Sequence, residues 1–314
     1  MNFQQLKSVR EAVRRNFNLT EVAKSLHTSQ PGVSRQIREL EEELGFELFE
    51  RAGKRLTGLT EPGAQVFPIV ERALREIENL RRAGSEYAGS STGRLIIATT
   101  HSQARYALPE TVLAFRQRFP GVQLTLQQTF PEHIAELLLA GRADIGIATE
   151  ALDRYPDLAA LPGYEWGHVA IVPREHPLAG HPGPVSLAEL AEHPLITYDT
   201  AFSGRSHIDE AFALHALAPE IVLTAMDADV IKTYVELGMG VGIVASTAID
   251  PARDVRLAAL PGTGDLFARN TTKVALRKGV FLRGYAYEFL ELFAPHLNRD
   301  YVQEQVFEAA GETA

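Results

Sequence analysis

An α/β fold in three parts is predicted by three patterns in the 314-residue chain. Two short amphipathic helices fit the stretch 20–44, TEVAKSLHTSQPGVSRQIRELEEEL, with a break at His27-Thr28. An apolar residue recurs at alternating steps of four and three from Val66 to Leu80. From residue 94 onward, short apolar runs alternate with helical stretches, the signature of strand–helix–strand units. The expected molecule has a small helical head with a wing, then a long helix, then a body of two α/β lobes.

Composition sets the limits. At 314 residues and 45% hydrophobic content, two or more globular units with cores of their own are expected. The chain contains no cysteine, which excludes a disulfide scaffold, a thiolate zinc site and a cysteine nucleophile. The first residues, MNFQQLKSVREAV, lack the apolar core of a signal peptide, and no apolar run approaches the roughly 18 residues of a membrane span. A soluble protein of the cytoplasm, without a membrane partner, is expected. The net charge of −9 is uneven: residues 1–60 hold ten Lys/Arg and eight Glu, a balance of +2 that leaves −11 for the rest. A mildly basic head on an acidic body suits a local phosphate-binding patch; chance unevenness is the plainer alternative.

In the head, Phe3, Leu6, Val9 and Ala12/Val13 mark a first helix, and Asn18-Leu19-Thr20 caps a second whose apolar face is Val22, Ala23 and Leu26. On the third, Val33, Ile37, Leu40 and Leu44 face inward. Ser29 fits the N-cap and Pro31 the first turn, where a missing N–H costs nothing. Gln30, Ser34, Arg35 and Arg38 then face outward. Such a helix fits the major groove of double-stranded DNA, where Arg can fork onto guanine and Gln onto adenine; an ordinary surface helix is the alternative. Phe46, Leu48 and Phe49 close the core, and 50–60, ERAGKRLTGLT, is a hairpin turning at Gly53, a wing. Its basic residues Arg51, Lys54 and Arg55 are placed for phosphates or a minor groove, or serve only solubility.

Thr60 caps the long helix and Pro62 sits in its first turn. Val66, Val70, Ala73, Ile77 and Leu80 form a heptad seam along which two copies would pair, flanked by Glu71–Arg75 and Glu78–Arg82. Packing on its own body is the alternative; a two-fold operator, with half-sites about 34 Å apart, favours the dimer. The stretch 84–93, GSEYAGSSTG, is expected to hinge. The divisions are thus 1–60 for the DNA-binding head, 61–90 for the dimerisation helix and hinge, and 91–314 for the body.

Within the body, strands are expected at 94–100, 122–128 and 143–149 with helices at 107–120 and 133–142, which makes a parallel sheet. A second set of strands falls at 168–173, 194–198, 220–226 and 241–246, with a helix from DADVIKTYVELGM before the last. A strand at 271–279 and a helix at 285–297 return to the first lobe. Lobe I is therefore 91–165 with 267–314, and lobe II is 166–266. Ligands bind at the carboxyl ends of such strands. Thr100, Ser102 and Gln103 follow one strand and open a helix, where amides and dipole favour an anion. Thr149 ends another strand, and Ser203-Gly204-Arg205 follows one in lobe II. Helix caps and turns are the plainer roles for these hydroxyls, and His101 is set aside as structural.

Nearly the whole chain resembles the LysR-type transcriptional regulators, and within them the CysB group of sulfur-assimilation regulators. The head matches through TSQPGVSRQIRELEEELGFELFER and LTEPG; ATTHSQARYALP, ADIGIATEAL, ITYDTAFSGRS and DADVIKTYVELGMGVGIVAS point to the narrower group. The resemblance implies a two-lobed effector domain similar to periplasmic binding proteins. It also implies a homodimer or homotetramer on promoter DNA, with RNA polymerase as a further partner. At the matching positions Thr100, Ser102, Gln103, Thr149, Ser203 and Gly204 it implies a bound anion, with Trp166 near the cleft. The candidate effectors are sulfate, a related sulfur oxyanion, adenylyl sulfate or acetylserine. One departure stands out: Thr129-Phe130-Pro131-Glu132-His133 replaces the group's Gly-Ser-Pro-Thr-Gln, and lining the cleft with Phe130 and Glu132 would disfavour bare sulfate. No nucleophile elbow, phosphate loop, dinucleotide fingerprint or metal-spaced His pair occurs, so no enzyme, cofactor or metal is expected. The two lobes alone would suit a solute-binding protein, against which the lack of a signal peptide and the amino-terminal motif argue, and an enzyme or transporter would have no use for the heptad helix.

Overall fold

Asn2 starts the first helix of the computed structural model, α1 (Phe3–Arg14), through a capping box with Gln5. The structure describes residues 1–53, 55–87, 92–200 and 203–307. Asn18 caps α2 (Leu19–Ser25), and His27 at φ 51° turns the chain into α3 (Gln30–Leu44). Ser29 Oγ accepts the Gly32 amide at 3.2 Å to cap α3, and Gly45, in the left-handed region at φ 82°, ends it. The wing is the antiparallel pair β1 (Phe49–Ala52) and β2 (Arg55–Leu59), with Gly53 at φ +63° in its turn. Val9, Ala12, Val22, Val33, Ile37, Leu40, Leu48, Phe49 and Leu56 make one buried core.

Next comes α4 (Glu61–Tyr87), a 27-residue helix that Thr60 starts by accepting the Gly63 amide. Its seam differs from the expected one. Val70 and Leu74 are buried in the head's own core, with Val66, Phe67 and Ala73 packed beside them. Glu71 and Glu78, expected to pair within the helix, reach across to Arg14 at 3.3 Å and Arg10 at 3.0 Å of α1. The apolar row left outside is shifted by one position: Ile69 is 52% and Leu80 72% exposed, with Val66 and Ala73 half-buried along the same line. Residues 84–87, expected to hinge, continue the helix, and 88–91 lie outside the described residues.

The chain divides into two units, Met1–Ala88 and Gly89–Ala314. The second begins with β3 (Gly93–Thr99), α5 (Pro109–Arg118), β4 (Val122–Gln128), α6 (Pro131–Leu139), β5 (Ile145–Ala148) and β6 (Leu158–Trp166). Lobe II follows as β7 (His168–Pro173), α7 (Leu187–Ala191), β8 (Leu195–Tyr198), α8 (Ser203–Leu214), β9 (Ile221–Ala225), α9 (Ala228–Glu236), β10 (Val241–Ala245) and β11 (Leu257–Ala259). The chain returns through β12 (Asn270–Arg277), α10 (Gly284–Phe293) and α11 (Arg299–Phe307).

Both sheets have five strands, ordered β4-β3-β5-β12-β6 and β11-β7-β10-β8-β9. The parallel pairing expected holds for β4-β3-β5 and β10-β8-β9 only. β12 runs antiparallel to β5 and β6, and β7 to β10 and β11. The reason is topological. β7 and β12 enter their sheets directly from the other lobe, without the crossover helix a parallel neighbour needs.

Candidate functional site

The outward face of α3 carries Gln30, Pro31, Arg35 and Arg38, all exposed, with Ser34 half-buried. Arg35 is held by Glu39, one turn on, at 2.7 Å, and its side chain remains 82% exposed. A pair of that kind is worth a few tenths of a kcal/mol, so the guanidinium exchanges onto another acceptor at little cost. Arg38 donates to Ser34 Oγ at 3.2 Å. Ser29, as the cap, keeps a hydroxyl proton to donate. On the wing Arg55 is exposed, and Lys54 lies outside the described residues. Arg51 has a different occupation: its guanidinium is paired with the buried carboxylate of Glu41, which also accepts the amides of Leu48 at 2.9 Å and Phe49 at 3.2 Å. Arg51 holds the wing to α3.

In the body, six of the seven residues proposed for a ligand, Thr100, Ser102, Gln103, Thr149, Trp166 and Gly204, line one cavity of about 40 Å³ between the lobes. That is several times the 10–15 Å³ or so required by one water. Ser203 opens α8 next to it, its side chain lying outside those described. Tyr198, Met226, Ala245 and Thr247 complete the wall. These four were missed, although each sits at or just beyond the carboxyl end of a lobe II strand, where the same rule that found Thr100 and Thr149 applies.

The donors here are neutral. Among the described residues, no Lys or Arg lines the cavity. Trp166 Nε1 is buried without an acceptor. The Tyr198 phenol accepts the Ala245 amide at 3.0 Å and is hydrogen-bonded to Ser102. Burial pushes the Tyr198 hydroxyl well above its ordinary pKa, which keeps it protonated. Gln103 is less free than expected: its Nε2 donates to Thr272 at 3.0 Å and its Oε1 accepts from Tyr164 at 2.7 Å. The helix expected at 100–103 is a short π-type turn, Gln103–Ala107. Its dipole is correspondingly small, and the polar groups among the lining residues are hydroxyl, amide and indole groups. Phe130 and Glu132 are absent from the wall; Phe130 precedes α6 and is 40% exposed. The expected obstruction of the cleft is therefore not built by that segment.

Behind Gly204 lies the crossover between lobes. His168 is fully buried, 3.4 Å from Asn270 through Nδ1, and its Nε2 has no partner. A Cβ on Gly204 would come 3.1 Å from that nitrogen, so a larger residue here requires the imidazole to give by a few tenths of an ångström. Burial foremost, and the neighbouring His207, lower the His168 pKa from 6.5 to about 3. The unfolded chain takes up this proton below pH 6.5 and the folded chain does not until about pH 3. Stability is then complete above 6.5 and falls with decreasing pH at roughly 1.4 kcal/mol per unit. Thermal unfolding is expected to show wild type losing roughly 2 kcal/mol more than His168→Gln between about pH 7 and pH 5.

A winged helix with an exposed polar and basic helix face, carried on the same chain as a two-lobed body with a cavity between the lobes, defines a DNA-binding regulator that takes a small ligand. The chain belongs to the LysR family of transcriptional regulators. Residues 3–64 match the bacterial regulatory helix-turn-helix protein, lysR family, and 88–298 the LysR substrate binding domain. The chain is 59% identical over 298 residues to the HTH-type transcriptional regulator SsuR of Burkholderia cenocepacia, covering 95% of this chain and 96% of that protein. To the regulator CysB of the same organism it is 54% identical over 304 residues, covering 97% and 96%. It is 50% identical to the regulator cbl of Escherichia coli over 312 residues, covering 99% and 98%. Among solved structures, the cofactor-binding domain of the Cbl transcriptional regulator matches at TM-score 0.66 and 47% identity, covering 69% of this chain and 94% of that one. Full-length OxyR C199D from Pseudomonas aeruginosa matches at TM-score 0.69 and 20% identity, covering 94% and 97%, a likeness of fold alone. The family is one of regulators rather than enzymes.

Proposed function

We propose that this chain is a cytoplasmic regulator of sulfur assimilation or utilisation genes, responding to a small anionic sulfur-related metabolite held between its two lobes. The observation that carries the reading is the cavity, scaled to a small oxyanion and lined by the hydroxyl-bearing Thr100, Ser102, Thr149, Tyr198 and Thr247 and by Trp166, whose N–H is buried without an acceptor. An anion held by neutral donors needs no lysine or arginine, because several dipoles share one charge. Identity of 54% to the regulator CysB supports the sulfur assignment, and no helix among the described residues is long and apolar enough to cross a membrane. On DNA, the contacts are assigned to Ser29, Gln30, Pro31, Ser34, Arg35 and Arg38 of the recognition helix and to Lys54 and Arg55 of the wing. Two copies associate through the row of α4 made by exposed Ile69 and Leu80 and half-buried Val66 and Ala73.

The apolar wall formed by Met226, Ala245 and the Trp166 ring favours a second reading of the effector: an acid bearing a short apolar arm, such as an acetylated serine, instead of bare sulfate. One experiment separates them. Thermal unfolding of the full-length chain is followed against sulfate, sulfite, thiosulfate, adenylyl sulfate, O-acetylserine and N-acetylserine, with phosphate and chloride as controls. A ligand at a hundred times its Kd adds about 2.7 kcal/mol, a shift of several degrees. Thr100→Ala combined with Gln103→Ala is expected to remove the shift. A panel without effect would reject a sulfur effector while leaving the fold and family intact.

A further inference from the structure

The stretch that brings Ser102 and Gln103 to the cavity is gripped on both flanks by a single lobe II carboxylate. Asp229, in the first turn of α9, accepts Tyr106 Oη on Oδ1 at 2.6 Å and Arg105 Nε on Oδ2 at 3.3 Å. His101 Nε2 also meets Oδ2, at 3.2 Å, while its Nδ1 lies 3.2 Å from Gln128 Oε1. Three lobe I side chains at 101, 105 and 106 thus converge on one lobe II group, and the cavity residues 102 and 103 lie between them. Tyr106 goes further, packing against the lobe II core with the Lys232 ammonium 5.1 Å from its ring. Lys232 is fixed in turn by Ala248 O at 3.0 Å and Asp254 at 3.1 Å, and it approaches Asp229 Oδ1 at 3.6 Å. Asp227 is spent on the N-cap of α9. Arg105 and Lys232 supply positive charge to Asp229, which makes this carboxylate the centre of an ion-pair network.

The strength of this grip is graded by exposure. The side chains of Asp229, His101 and Arg105 are 37%, 38% and 48% exposed, so each pair alone is worth little. Sharing one carboxylate makes them a network whose members order one another. A tie of that sort is strong enough to bias the lobes and weak enough to release, which is what a ligand with a modest difference in affinity between two states can exploit.

We propose that Asp229 is a positioning residue for the effector site: by clamping residues 101, 105 and 106 it sets Ser102 and Gln103 in the cavity wall and holds lobe II against lobe I. Effector binding and the clamp then reinforce each other. This role rests on the cavity being the effector site, and the test separates the two. Trp166 is the one tryptophan in the sequence and lines the cavity, so its fluorescence reports the cleft directly. In the full-length chain without ligand, Asp229→Ala and Asp229→Asn are expected to raise acrylamide quenching of Trp166 by about twofold, with little change in unfolding temperature, as opening without unfolding requires. Asp229→Glu should restore most of the shielding, and Asp265→Asn, an exposed lobe II carboxylate off the cavity, should quench as wild type. Titration with sodium sulfate and with N-acetylserine should give a Kd about tenfold weaker in Asp229→Asn, the share of open cleft appearing as lost affinity. Should Asp229→Ala not fold, Arg105→Ala with His101→Gln tests the clamp from lobe I with the same expected rise. Quenching equal to wild type in the folded variants overturns the clamp. Wild type binding neither probe, with quenching still raised, keeps the clamp and removes these two effectors.

Discussion

Replacing Glu41 with alanine is expected to destabilise the winged-helix head by about 3–5 kcal/mol, because it strips the partner from a buried charge network. Glu41 is 7% exposed and takes the amides of Leu48 and Phe49 together with the Arg51 guanidinium. Its loss leaves two buried N–H groups and one cation without an acceptor, and each such amide costs about 1–3 kcal/mol. The wing is then cut loose from α3, since those amides lie where the chain enters β1. Glu41→Gln keeps an acceptor oxygen and should fall between the two. Glu41→Leu with Arg51→Met removes both charges and should recover part of the loss, the behaviour of a buried pair whose desolvation offsets its attraction. Urea unfolding of the full-length chain distinguishes the head from the body: Trp166 fluorescence follows the body, and the change in circular dichroism outside that transition follows the head. If the head of the Glu41→Ala variant unfolds at the same urea concentration as wild type, the carboxylate is not the wing's anchor.

Arg51 illustrates what a sequence pattern can and cannot convey. A basic residue on a hairpin is legible, but its partner ten residues back on a helix is not, and the same holds for Gln103, whose amide is held by Tyr164 and Thr272 far along the chain. The recognition helix was legible because its determinants are local: a Ser cap, a proline in the first turn, apolar steps of four and three, and a terminal glycine. On α4 two apolar stripes share Val66 and Ala73, and only the position of α1 decides that Val70 and Leu74 go inward while Ile69 and Leu80 stay out. The strand Leu158–Trp166 was invisible for another reason. Pro162 and Gly163 interrupt it, and the register with β12 shifts between Thr272 and Lys273, so a bulged edge strand reads as a loop. His101, set aside as structural, meets Asp229 across 128 residues of sequence, a pairing with no local sign. Thr100, Ser102, Gln103, Thr149 and Gly204 were legible because position beyond a strand's carboxyl end is a local property, whereas Trp166 came only through the resemblance and Tyr198, Met226, Ala245 and Thr247 were passed over.

Arg35→Ala is expected to weaken binding to operator DNA by about 10- to 100-fold, the roughly 1–3 kcal/mol of a bidentate base contact, while leaving ligand affinity unchanged. The side chain is held in place by Glu39, so in free protein the substitution removes a surface pair and costs the head almost nothing. The loss would therefore appear in the complex and not in the unfolding curve. Arg35→Lys separates charge from shape: a point charge keeps the attraction to phosphate but not the forked geometry guanine requires, so specificity should relax more than affinity. Arg55→Ala is the useful contrast. An exposed wing cation against phosphate should weaken all sequences alike and reduce the slope of log affinity against log salt by about one. Gel shifts on fragments selected from a random pool by the wild-type protein, run at several salt concentrations, give both quantities whatever the operator sequence is. If Arg35→Ala binds as wild type on the selected fragments, the outward face of α3 is not the surface that reads the groove, and the docking built on Gln30, Ser34, Arg35 and Arg38 falls with it.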